Sequence, residues 1–300
     1  MKKTFRSATS SKDQARGKAS ARSTQRPPKS SGGGKPIFKG QRSDDVFKAG
    51  GPNWPREWRA IIGQHAILEV LKVRPKSIKQ AWLKQGWESS ADLHELQTEM
   101  KSRGLKVDTV PVAYLDKISV SHQGAAVFSS ETPEVNFTEM ARLEKAIALV
   151  LDGIEDPQNL GAIIRTSWLM GVAGLIIPED RAVGLTASAH KVACGGVEHV
   201  PVERTTNFTN PLEELKKNGY WVFGLSHEGE RSLFDLQIPD KVVWCIGSEE
   251  KGLRVTTERL CDELIRIPQI SAAASYNASV ATAIALTETH RQQTRKKLSN

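Results

Sequence analysis

From residue 146 onward, short apolar runs rich in β-forming residues alternate with helix-like stretches. The runs are AIALVLDGI, GLIIP, YWVFGLS, VVWCIGS and LIRIP, and stretches such as LGAIIRTSWLMG and NPLEELKKNG separate them. Strands that read as continuous apolar runs are buried on both faces, and strands that alternate with helices form βα units. The C-terminal half is therefore expected to be an α/β domain built on a parallel sheet with helices on both sides. With 300 residues, 39% of them apolar, the chain is long enough for two domains that each bury a core.

Upstream, IIGQHAILEVLKV (61–73) has near-helical spacing and SIKQAWL (77–83) reads as a strand. ADLHELQTEMKSRG (91–104) reads as an amphipathic helix stopped by Gly104, and KVDTVP as a short strand. Together they predict a small α/β module over residues 58–130 that closes near SHQGAAVFSS. The polar, acidic stretch ETPEVNFTEMARLEK, with Pro133, is expected to link it (131–144) to the second domain, 145–300.

The first fifty residues hold thirteen Lys or Arg against three Asp, a surplus of ten, whereas the whole chain carries +8. All the net basicity thus belongs to the tail. Rich in Ser, Gly and Lys and almost free of apolar residues, residues 1–57 are expected to be disordered, with RNA contact by counterion release, a solubilising role or a transit peptide as the alternatives. Three cysteines, Cys194, Cys245 and Cys261, without CxxC or His-paired spacing, argue against zinc and disulfides. No signal-like segment and no 18-residue apolar span is present, which predicts a soluble, cytoplasmic protein.

Ligands of parallel sheets sit at the carboxyl ends of the strands, here DGIEDPQN, SHEGE, GSEEKG and PQISAAASYN. NLGAIIRT reads as a loop feeding a helix, with Asn159 near the cap, Gly161 allowing close approach and Arg165 about one turn on, suited to phosphate. Pairing of Arg165 with Glu155 or Asp156 is the alternative. GSEEKGL is either a Gly-bracketed turn that aims Glu249 or Glu250 inward or an exposed charged turn. SYNASVATAIAL reads as a helix start capped by Ser275 or Asn277.

In order and spacing, NLGAIIRT, IGSEEKGL and IPQISAAASYNASVA resemble the three motifs of the SpoU (TrmH-type) RNA ribose 2′-O-methyltransferases. The resemblance extends to GVAGLIIPEDRAVGLTASAHKVACGGVEHVPV and covers about residues 60–293. IIGQHAILEVLK…HQGAAV resembles the small RNA-binding module of the family's ribosomal-RNA branch. The resemblance implies an S-adenosylmethionine-dependent enzyme, a trefoil-knotted (SPOUT-type) catalytic domain and a homodimer. It implies ribosomal RNA as substrate, with transfer RNA or a non-catalytic RNA-binding role as alternatives. No metal is implied. Arg165 would meet the RNA phosphate and the attacking 2′-oxygen, Asn159 would orient it, Glu249 would hold that network or the target base, and Ser275 and Asn277 would anchor the site. The cofactor would lie against Gly247, Ile267, Gln269 and Tyr276. Departures from the family pattern fall on these loops, at Glu250, Gln269, Ser271 and Tyr276; Ser271 would be strained if its φ were positive.

Overall fold

The computed structural model describes residues 54–55, 57–180, 182–271 and 274–298, so most of the expected basic tail lies outside the described residues. A four-stranded sheet comes first, in the order β1 (Arg59–Ile62), β4 (Ala125–Ser129), β2 (Ile78–Lys84), β3 (Val107–Val110). β4 pairs antiparallel with both neighbours, and β2 pairs parallel with β3. Helices α1 (Gln64–Val73) and α2 (Ala91–Ser102) bury Ile67, Leu71, Leu96 and Met100 on one face. On the other face Trp82 and Phe128 pack edge to face at 4.5 Å, with Leu115 of α3 (Val112–Asp116) beside them.

The helix expected from residue 61 begins three residues later. Ile61 and Ile62 belong to β1 and bury on opposite faces of the sheet, and Gly63, at φ +87, turns the chain into α1. Gly104, at φ +75, follows α2 and its cap Arg103, in keeping with a left-handed stop.

The second sheet has seven strands, all parallel, in the order β7-β6-β5-β10-β8-β11-β9. These are β5 (Ala146–Asp152), β6 (Gly174–Pro178), β7 (Val202–Thr205), β8 (Trp221–Leu225), β9 (Arg231–Ser232), β10 (Lys241–Gly247) and β11 (Glu263–Arg266). Strand alternation sorts the core into two layers. Ile147, Leu149, Leu151, Trp244 and Ile246 pack under α5 (Pro157–Leu169), α6 (Ala187–Ala193) and α9 (Ala278–Leu298). Ala148, Val150, Val243 and Cys245 face α4 (Phe137–Arg142) and α7 (Thr209–Lys217), with Leu253 and Leu260 on either side of α8 (Val255–Glu258). Fully buried Trp244 donates its indole N–H to Thr289 Oγ1 at 3.0 Å, tying α9 to the central strand.

The segment 131–144 is folded against the second sheet. Asn136 caps α4 by accepting from the Glu139 N–H at 3.1 Å, Met140 is buried, and its carbonyl accepts from the Tyr220 hydroxyl at 3.0 Å. Val202 N–H donates to the Pro133 carbonyl at 2.9 Å. Burial pushes the Tyr220 phenol up to about 12, so it stays protonated as a donor.

All three cysteines are free. Cys245 is buried, and a hydrogen bond with Cys261, followed by desolvation, pushes its thiol well above the usual range. Such a thiol stays protonated and unreactive.

The two sheets meet where β1 and α1 press on α6 and the turn after it. Arg59 forks Glu198 through Nη1 at 2.5 Å and Nη2 at 2.8 Å, with both side chains buried. Arg74 Nη1 donates to the Glu198 carbonyl at 2.7 Å and to its Oε2 at 3.1 Å. Beside them, His190 is buried and its Nε2 has no partner among the described residues. Burial first, then the Arg59 charge, hold its imidazole well below the ordinary value of 6.5.

His190 therefore stays neutral in the folded chain, while the unfolded chain takes up a proton below about pH 6.5. Stability is full above that pH and falls as the pH drops through it, at up to about 1.4 kcal/mol per unit. Denaturant unfolding at pH 7.5 and 5.5 should show this loss, and His190→Leu should make it smaller.

Candidate active site

At the carboxyl ends of β5, β10 and β11 three loops converge. β5 ends in Asp152, buried and in register with Gly247 at the end of β10. Asp152 Oδ2 accepts from the Arg254 N–H at 2.9 Å, and Oδ1 accepts from the Arg254 guanidinium. A buried carboxylate thus pins the far end of the loop that carries Glu249.

That loop folds tightly back on its own strand. Ser248 and Gly252 exchange backbone hydrogen bonds at 3.0 and 2.9 Å, and Gly252 takes φ +64. A Cβ on Gly247 would sit 2.0 Å from the Gly252 carbonyl carbon and 2.2 Å from the Leu253 nitrogen, so no side chain fits there.

Glu249 then faces the start of α5. Asn159 Nδ2 donates to Glu249 Oε1, and Asn277 Nδ2 donates to Asn159 Oδ1 at 2.9 Å. Asn277 Oδ1 in turn accepts from the Ser279 N–H at 2.9 Å and from its hydroxyl at 2.6 Å, at the first turn of α9. The direction of this chain follows from one end. An ionised carboxylate only accepts, so Asn159 must turn its amide N–H₂ to Glu249 and its oxygen to Asn277. One bridge joins segments 90 and 118 residues apart.

The start of α5 differs from the expected cap. Asp156 accepts from the Gln158 N–H at 2.8 Å and Pro157 takes the first helical position, so Asn159 lies inside the first turn. Gly161 serves helix packing: a Cβ there would lie 2.6 Å from Val192 Cβ. Arg165, eight residues past Pro157, sits about two turns along the helix. It is exposed, and its Nη1 lies 3.5 Å from Cys194 Sγ. The structure does not join Arg165 to Asn159, nor to Glu155 or Asp156. Residues six apart on a helix point about 120° away from each other, which keeps Arg165 off the Glu249 bridge.

Ser275 is exposed and Asn277 takes the cap of α9. Of the residues expected along the cofactor loops, Ile267 is partly buried at the edge of the core. Gln269 Nε2 donates to the Ala274 carbonyl at 2.9 Å and the Tyr276 hydroxyl to the Pro268 carbonyl at 3.3 Å, so both close the segment 268–276 on itself. Glu250 is exposed at the loop tip. Among the described residues only Gln123 and Cys194 are non-glycine positions with positive φ, so Ser271 carries no such strain.

Two side chains outside the sequence reading also shape this end of the sheet. Arg254 is one. Arg266 is the other: its Nη1 donates to the Gly229 carbonyl at 3.1 Å and to the Glu230 carbonyl, holding the loop after β8 against β11. A Cβ on Gly229 would lie 2.7 Å from the Arg266 nitrogen, so only glycine allows that approach. Exposed Glu228 and Glu230 flank it.

The exposed carboxylates of Glu228 and Glu230 after β8 and of Glu249 after β10 give this end of the sheet a negative charge, of a kind suited to a cationic group and to ribose hydroxyls. Leu225 and Ile267, at the carboxyl ends of β8 and β11, add partly buried apolar side chains packed on the core. No group of three or more His, Cys, Asp or Glu among the described residues could hold a metal ion.

The SpoU rRNA Methylase family matches residues 146–287, and the RNA 2′-O ribose methyltransferase substrate-binding family matches residues 60–133. The chain is 37% identical over 243 residues to the 23S rRNA (guanosine-2′-O-)-methyltransferase RlmB of Neisseria meningitidis, covering 79% of this chain and 97% of that protein. It belongs to the SpoU rRNA methylase family. RlmB of Pseudomonas aeruginosa is 35% identical over 249 residues, covering 79% of this chain and 98% of the relative. The crystal structure of the SpoU methyltransferase AviRb from Streptomyces viridochromogenes in complex with AdoMet superposes with a TM-score of 0.67. At 21% identity, covering 80% of this chain and 92% of AviRb, it is a likeness of fold. In this SpoU chain the three segments that resemble the family motifs are the ones the Glu249–Asn159–Asn277 bridge joins.

Proposed function

We propose that this protein transfers the methyl group of S-adenosylmethionine to a ribose 2′-hydroxyl of ribosomal RNA. The observation that carries the reading is the Glu249–Asn159–Asn277 bridge at the carboxyl end of the parallel sheet, in a chain of the SpoU family. S-adenosylmethionine supplies an electrophilic methyl on a cationic sulfur. The loops around Gly247, Ile267, Gln269 and Tyr276 hold it, while the bridge fixes the position of Glu249 beside it.

Arg165 approaches the RNA phosphate and the 2′-oxygen. A guanidinium keeps its proton at neutral pH, so Arg165 orients the hydroxyl and stabilises the developing alkoxide, and the proton leaves to phosphate or water. Domain bounds of 58–130 for the RNA module and 145–300 for the catalytic domain belong to the same reading, as do a trefoil knot in the catalytic domain and a cytoplasmic site of action. Among the described residues no helix is long and apolar enough to cross a membrane.

A homodimer completes the reading. A groove of about 510 Å³ runs between α5 and α9, lined by Ala162, Thr166, Ala283 and Ile284 with Phe234 at its side. Leu169 on α5 and Val280 on α9 are 70% and 45% exposed. Sedimentation equilibrium should return twice the chain mass of 33.0 kDa, and Val280→Glu should return the single mass.

Calorimetry of S-adenosylmethionine on the full chain tests the function. One site per chain is the expected result. A folded chain that binds none at millimolar ligand would instead be an RNA-binding relative without this chemistry.

A further inference from the structure

The joint between the two sheets is built more tightly than a tether requires. Glu198 is 2% exposed, yet both its carboxylate oxygens and its carbonyl are held by arginines of the small module, Arg59 and Arg74. At the rim, Glu69 of α1 and His199 meet at 2.7 Å, and the His199 ring stacks on Trp168 of α5 at 4.4 Å and 4°. Two glycines at positive φ let side chains of the facing element press onto the backbone. A Cβ on Gly195 would lie 2.5 Å from Glu69 Cβ, and one on Gly63 would lie 3.0 Å from Lys191 Cγ.

The turn between Cys194 and Glu198 is thus gripped from one side by the module. Its other side lies on α5 at Arg165: a Cβ on Gly196 would be 3.3 Å from Arg165 Cα, and Cys194 Sγ lies 3.5 Å from Arg165 Nη1. One five-residue turn therefore touches both the module and the backbone that carries Arg165.

We propose that Glu198 is a positioning residue, clamping the RNA-binding module in a single orientation on the turn beside Arg165, so that RNA gripped by the module reaches Arg165 at a set distance. The role of Arg165 in this statement rests on the function proposed above; the clamp itself does not. A buried carboxylate shared by two guanidiniums is an orienting device, because its fork geometry is satisfied in one arrangement only. Loss of the clamp leaves RNA bound but misplaced, which lowers turnover more than affinity.

The test uses the full chain as Glu198→Ala, with spin labels at Lys101 and Lys217 to read the distance between module and catalytic domain. Expected are a single narrow distance distribution in the parent and a broad one in the variant. Turnover on transcribed 23S ribosomal RNA should fall at least tenfold, while affinities for that RNA and for S-adenosylmethionine stay within twofold. Should the variant fail to fold, Arg74→Ala leaves the Arg59 fork in place and is expected to broaden the distribution and lower turnover severalfold. Unchanged distributions in the folded variants would overturn the clamp, and so would a broad distribution in the parent or a broadened one with unchanged turnover. A parent that shows the narrow distribution but methylates no RNA would overturn the proposed function and the positioning of RNA while leaving the joint itself intact.

Discussion

Arg165→Ala is expected to slow methyl transfer to RNA by about 10²- to 10³-fold, the usual cost of removing a group that meets developing negative charge. S-adenosylmethionine affinity should stay within twofold, because the loops proposed to hold the cofactor are 247–253 and 267–277. Stability should change by less than about 0.5 kcal/mol, since the side chain is exposed and its polar contact among the described residues is the Cys194 sulfur at 3.5 Å. Single-turnover methylation of transcribed 23S RNA, with calorimetry and denaturant unfolding on the same preparation, separates these quantities. Arg165→Lys bears on the role of the charge. Activity that returns as the pH is raised would assign Arg165 a base role and contradict the orienting cation.

Gly247→Ala is the second large effect. The added methyl would meet backbone atoms of Gly252 and Leu253 at 2.0 and 2.2 Å, and those atoms are held by the Ser248–Gly252 bridge and by Asp152 on Arg254. The loop must open to admit it. The expected cost is about 3 kcal/mol of stability, at the upper end for overpacking, with loss of measurable cofactor binding. Gly171→Ala is the control. Gly171, unlike Gly247, has positive φ, at +67, and open space around it, so only backbone strain of about 1 kcal/mol should appear. Equal effects of the two substitutions would show that the 247–253 return does not shape the cofactor site.

Legibility in the sequence followed burial and local chemistry. β5, β6, β8, β10 and β11 read as strands because both faces are covered. β7 did not: VERT ends the sheet, and its Glu203 and Arg204 keep polar side chains. β9, two residues long, has no pattern to read. The β1–α1 boundary was blurred because Ile61 and Ile62 continue the apolar run of the helix, and only the positive φ of Gly63 divides them. The start of α5 was locally legible after all. Asp156 followed by Pro157 is a cap with proline at the first position, a stronger signal than Asn159.

The candidate residues Asn159, Glu249 and Asn277 are legible as cap and turn residues and take their roles from motif resemblance, whereas their mutual hydrogen bonds depend on how three strand ends are placed. Asp152 with Arg254 and Arg59 with Glu198 lie 102 and 139 residues apart, and no spacing rule reaches that far. A carboxylate closing an otherwise apolar strand, as in AIALVLD, was the one hint for Asp152.

The central claim is methylation of a ribose 2′-oxygen. Ribosomal RNA lacking modifications, treated with the full chain and S-adenosylmethionine deuterated at the methyl, can be digested to nucleosides and read by mass spectrometry. The predicted result is one labelled nucleoside whose extra mass resides on the ribose and whose 3′ linkage resists alkali. Label on a base, or none from a folded chain that binds the cofactor, would contradict it.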